Sequence, residues 1–130
     1  MTSGRVMRCE LEADLAEVGT ARRFIRANLV DVSPGLNADA QLVASELVTN
    51  AVEHGAGGPV IVAIRCDDAS IALTVESVGP APDVGDVENW EVAPVEEQTG
   101  RGLGIVRSIA DRVEVRRRNG RLVITACLVG

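Results

Sequence analysis

Ser45-Glu46-Leu47-Val48-Thr49-Asn50-Ala51-Val52-Glu53-His54-Gly55 is the stretch on which the reading of this chain turns. Val43, Leu47, Val48 and Ala51 recur at spacings of three and four, the signature of a helix with one face in a core. Glu46, Asn50 and His54 stand four apart on another face, so a carboxylate, an amide and an imidazole line one polar stripe. Gly55 is a natural stop, backed by Gly57, Gly58 and Pro59. Taken alone, the stripe is also what any solvated helix face shows. A second signal fifty residues on changes its weight.

That signal is Gly100-Arg101-Gly102-Leu103-Gly104, directly before the apolar run Ile105-Val106. Glycines let a backbone turn sharply and present its N–H groups to a ligand, and a helix start adds about half a positive charge. The pair makes an anion site suited to phosphate.

Outward from these two stretches the chain orders itself. Residues 5–11 alternate as an edge strand, and Asp14 opens a helix whose stripe of Leu15, Val18, Ala21, Phe24, Ile25 and Leu29 runs to about residue 30. Asp31-Val32-Ser33-Pro34-Gly35 is turn chemistry, and Asn37 or Asp39 caps a central helix over about 38–54. Residues 59–66 and 70–76 form a hairpin through Asp67-Asp68-Ala69. A long acidic loop over 79–98 follows, with Asp83, Asp86, Glu88, Glu91, Glu96 and Glu97 and the single Trp90, an anchor type enriched at protein interfaces. A helix over about 102–111 leads into strands 112–118 and 121–128 around Asn119-Gly120, a strong two-residue hairpin signal. The expected architecture is α+β, a two-layer sandwich in which about three helices cover one face of a mixed sheet.

With 130 residues the chain is expected to be one domain over 1–130. It has one Phe, one Trp and no Tyr, so its core is aliphatic. A net charge of −6 argues against direct nucleic-acid binding. Cys9, Cys66 and Cys127 are scattered through strand-like runs and read as buried free thiols rather than a metal site. No run is long enough for a membrane span and no leader is evident, so a cytoplasmic protein is expected. Arg112, Arg116, Arg117, Arg118 and Arg121 concentrate on the last hairpin as a solvated or edge-guarding face.

Ser45-Glu46-Leu47-Val48-Thr49-Asn50-Ala51 resembles the N box of the GHKL ATPases, and Gly100-Arg101-Gly102-Leu103-Gly104 resembles their G2 box. The resemblance spans the chain and is greatest to the bacterial anti-sigma-factor serine/threonine kinases, stand-alone relatives of the histidine-kinase ATPase domain with a Bergerat-type fold. It implies ATP and Mg²⁺ as cofactors, with Asn50 helping to hold the metal and Glu46 serving as catalytic base. Asn50, Ser77, Gly79, Gly100, Arg101, Gly102, Leu103 and Gly104 would contact nucleotide. It implies transfer to a serine or threonine of an anti-anti-sigma (STAS) protein, control of transcription through a sigma factor, and a homodimer. One position departs from the pattern: Val75-Glu76-Ser77-Val78-Gly79-Pro80-Ala81 carries Ser77 where the family has the aspartate that recognises the adenine amino group, and Ala81 at its second glycine. The alternative expectation is therefore a non-catalytic partner-switching module of the same fold with weak or absent nucleotide binding.

Overall fold

A computed structural model describes residues 5–67, 70–78 and 101–129. In chain order the elements are β1 (Arg5–Leu11), α1 (Glu17–Asn28), α2 (Pro34–His54), β2 (Val60–Cys66), β3 (Ser70–Val78), α3 (Arg101–Ile109), β4 (Arg112–Arg118) and β5 (Arg121–Val129). The strands form one five-stranded sheet in the order β1-β2-β3-β5-β4.

Every pairing in that sheet is antiparallel, so the expectation of a mixed sheet is corrected. The reason lies in the connections. Two helices intervene between β1 and β2, and a reversal at each of the three connections returns β2 antiparallel to β1. A single helix follows β3, which leaves β4 running parallel to it, but the β4–β5 hairpin folds β5 into the gap between them. The hairpin turn has Asn119 at φ 52° and Gly120 at φ 73°, the left-handed pair that a two-residue turn requires.

Alternation along the strands divides the sheet into two faces. Ile71, Leu73, Val75 and Ser77 of β3, with Leu122, Ile124, Ala126 and Leu128 of β5, are buried beneath the helices. α2 lies at the middle of the helical layer, packed on α1 and α3 and over β2, β3 and β5. Its apolar stripe of Ala40, Val43, Ala44, Leu47, Val48 and Ala51 is buried, as the three-and-four spacing requires. Among the described residues no helix is long and apolar enough to cross a membrane.

Three expected details change. α1 begins at Glu17 because Asp14 closes a turn instead, its carboxylate accepting from the Ala16 N–H at 2.9 Å. Leu15 is consequently left half exposed outside the helix. α2 begins a turn earlier than expected, because Ser33-Pro34 is its cap: Ser33 Oγ accepts from the Leu36 N–H at 3.2 Å and Pro34 occupies the first turn. Asn37 is instead a clamp between helices, donating from Nδ2 to the Leu29 carbonyl at 3.0 Å. Of the thiols only Cys66 is buried, while Cys9 and Cys127 are half-buried. Burial pushes the Cys9 and Cys66 thiols above their ordinary range.

Candidate active site

Glu46 and Asn50 both lie on α2, half-buried and one turn apart. Ser45, between them and the core, is buried and donates to the Leu42 carbonyl at 2.8 Å, which keeps the hydroxyl inside the helix's own backbone. His54 is exposed in the last turn of α2.

The end of α2 is shaped by a close approach. Gly55 donates its N–H to the Ala51 carbonyl at 3.0 Å with φ −79°, so it is not the left-handed cap its position suggested. Its role is steric: a Cβ there would stand 2.4 Å from the Ala51 oxygen and 3.9 Å from Ser77 Cβ. Ser77 therefore sits beneath the C-terminal end of α2, 5% exposed. The turn that follows is taken by Gly57 and Gly58, both at φ 85°. Replacing Gly55 by Ala is expected to lower stability by about 1–3 kcal/mol, because the added methyl meets backbone that cannot move without breaking the terminal hydrogen bond. The urea midpoint measures this, and an unchanged midpoint would show that the helix end relaxes freely.

β3 settles which side chains lie beneath the end of α2. Ser77 points to the helix layer; its neighbour Glu76 points the other way and pairs with Arg121 on the open face of the sheet. Glu76 therefore cannot replace a missing carboxylate at Ser77. The register partner of Ser77 on β5 is Leu122, itself buried. Thr125 is on the opposite face, its hydroxyl 3.2 Å from that of Thr74. Beneath the end of α2 the sheet thus presents one hydroxyl beside aliphatic carbon.

At the other end, α3 begins at Arg101, so Gly102, Leu103 and Gly104 form its first turn, with Leu103 and Val106 anchoring it in the core. The N–H groups of a first helical turn have no partner within the helix, and they carry the positive end of its dipole. α3 packs against α2, so the glycine-rich turn and the helix bearing the Glu46–Asn50 stripe belong to one layer. Gly79, Gly100 and the acidic loop with Trp90 lie outside the described residues, and of Arg101 and Gly102 only the helical backbone is described. Among the described residues no group of three or more His, Cys, Asp or Glu side chains could hold a metal ion.

Residues 11–128 match the model of the histidine kinase-like ATPase domain. An anti-sigma F factor from Heyndrickxia coagulans is 31% identical over 107 residues, which cover 73% of this chain and 71% of the relative. One from Pasteuria penetrans is 32% identical over 113 residues, 78% of this chain and 74% of the relative. The crystal structure of the RsbU and RsbW domains of Rv1364c from Mycobacterium tuberculosis superposes with a TM-score of 0.70 at 20% identity. That match covers 96% of this chain, which spans about a third of the solved one, 32%. The match over residues 11–128 and the two relatives, with an α+β sandwich whose central helix bears Ser45-Glu46-Leu47-Val48-Thr49-Asn50-Ala51 and packs on a helix with a glycine-rich start, place this chain in the histidine kinase-like (GHKL) ATPase family, among its anti-sigma factors.

Proposed function

We propose that this protein is an anti-sigma regulator that binds Mg-ATP and phosphorylates a serine or threonine of an anti-anti-sigma (STAS) partner, acting on transcription through a sigma factor and working as a homodimer in the cytoplasm. The observation that carries the reading is the pairing of two features in one layer. The Glu46–Asn50 stripe lies on α2, and α3, whose first turn is glycine-rich, packs against that helix.

The donor set suits a hydrated magnesium phosphate. Mg²⁺ takes few protein ligands and keeps its waters, so one amide oxygen from Asn50 is an adequate hold, and the N–H groups opening α3 suit the phosphate oxygens. Bound Mg²⁺ would neutralise charge on the phosphates. Glu46, a turn before Asn50, would accept the proton of the attacking hydroxyl, which raises the nucleophilicity of that oxygen as it meets phosphorus.

Calorimetric titration with ATP tests the reading. Binding strengthened by Mg²⁺ is expected. The competing reading, a partner-switching module with little nucleotide affinity, is favoured by one observation: Ser77 is the buried polar group on the cleft's floor and Glu76 faces away from it. Silence of the parent toward ATP in both conditions would decide for that module.

A further inference from the structure

Beneath the C-terminal end of α2 the helix-facing side of the sheet presents one hydroxyl. Ser77 is buried there, with Val75 two residues earlier on the same face and Leu122, its register partner, buried beside it. The neighbouring polar groups are engaged elsewhere. Glu76 pairs with Arg121 on the opposite face of the sheet, and the hydroxyls of Thr74 and Thr125 meet on that face at 3.2 Å. The Ser77 backbone is in register with Leu122 in the β3–β5 ladder, and the Val78 carbonyl accepts from the Ala56 N–H at 3.3 Å. Among the described residues the other buried polar side chain is Ser45, whose hydroxyl donates to the Leu42 carbonyl. Glu53 and His54, in the last turn of α2, are exposed.

We propose that the nucleotide site takes guanine as readily as adenine, because the Ser77 hydroxyl is the group that meets position 6 of the base. The inference rests on the nucleotide-binding reading above and names its substrate class: purine nucleoside triphosphates with either an amino group or a carbonyl oxygen at position 6. Placement follows from the helix. Glu46 stands at the reacting end, one turn before Asn50, so the nucleoside extends from the phosphates the other way, toward the C-terminus of α2. At about 1.5 Å per residue, Gly55 lies about 7.5 Å beyond Asn50 along the helix, and Ser77 is directly beneath Gly55. Aliphatic side chains around one polar group suit a planar, largely apolar base.

The chemistry of the hydroxyl decides the choice of base. A carboxylate at this place only accepts, so it selects an amino group and repels a carbonyl oxygen. A hydroxyl carries one donor and two lone pairs, and its hydrogen turns to suit the partner. Ser77 Oγ therefore accepts from the amino group of adenine, and from the same rotamer donates to the carbonyl oxygen of guanine. Both bonds join neutral groups, so they are of similar strength. A site rejects the wrong base by leaving a buried polar group unpaired, and neither base does that to Ser77. The side chains buried beside it, Val75 and Leu122, are aliphatic and impose no polarity on the neighbouring ring nitrogen.

Calorimetric titration of the full chain in excess Mg²⁺ tests the proposal with ATP, GTP and purine riboside triphosphate, which carries only hydrogen at position 6. ATP and GTP are expected to bind within about fivefold of each other, and the third to bind about 2- to 10-fold more weakly than both, the loss of one neutral hydrogen bond. In Ser77→Ala the three are expected to converge on the parent's affinity for purine riboside triphosphate. A parent that prefers ATP or GTP over the other by more than about fivefold overturns the relaxed choice of base while leaving the nucleotide site in place. Equal binding of all three by the parent, or a Ser77→Ala variant that keeps the parent's order, shows that the base is not read at position 77 and overturns the proposal too. A parent that binds none of the three overturns the nucleotide-binding reading itself. If Ser77→Ala does not fold, as judged by its thermal melt, Ser77→Cys takes its place: its thiol is a weaker donor and acceptor and is expected to narrow the same gap.

Discussion

Glu46→Ala is expected to lower phosphoryl transfer to the STAS partner by about 10²- to 10⁴-fold while ATP and partner binding stay near the parent's. The magnitude is what a positioned general base contributes. The separation of effects follows from the place of the residue. Glu46 is half-buried on the polar side of α2, whereas the helix is held by the opposite stripe of Val43, Leu47 and Val48. Removing the carboxylate therefore removes proton acceptance without opening a cavity in the core. Calorimetry for ATP, a pull-down for the partner and a radiolabel assay for transfer separate the three quantities. If transfer persists at the parental rate, Glu46 is not the base. If ATP affinity falls together with transfer, Glu46 holds the bound ligand rather than the proton.

The same stripe shows what could be read before any coordinates. Three-and-four spacing placed Leu47, Val48 and Ala51 in the core, and they are buried. Period-two alternation placed Ser77 with Val75 and Glu76 against them, and the structure buries the first two and pairs Glu76 with Arg121 on the other face. Asn119-Gly120 specified its turn because few residue pairs accept two successive positive φ values. Elsewhere one pattern had two meanings. Ser33-Pro34 is equally a turn and a helix cap with its first residue, and only the packing of α2 along α1 decides between them. Sheet order was less legible still. Whether β4 or β5 enters beside β3 depends on long-range pairing, so the all-antiparallel ladder is not visible in a linear reading. Gly55 is the inverse case: a glycine at the right place for a left-handed stop that is extended instead, and required because the Ala51 carbonyl oxygen leaves no room for a Cβ.

Ser77→Asp should strengthen ATP binding by about 10- to 100-fold. A hydrogen bond to a charged group contributes about 1.5–3 kcal/mol against about 0.5–1.5 for a neutral one, and each 1.4 kcal/mol is tenfold in affinity. Ser77 already faces the helix layer at the end of α2, so the substitution aims a carboxylate into the cleft without altering the strand's alternation. Two features of this chain oppose the gain. Aspartate is larger than serine, and Ser77 is only 5% exposed beneath the end of α2. Leu122, the register partner, offers no hydrogen bond to an ionised group, so in the empty cleft the new carboxylate depends on solvent. Apo stability is accordingly expected to fall by about 1–2 kcal/mol, and saturating ATP should recover it by mass action. Titration with ATP and with GTP separates the possible causes, because an acceptor-only carboxylate pairs with the amino group of adenine and is repelled by the carbonyl oxygen of guanine. A gain for ATP alone places position 77 at the base. Equal gains for both nucleotides would mean that the carboxylate acts at a distance from it, and no gain in a folded variant would put the nucleotide base elsewhere in the cleft.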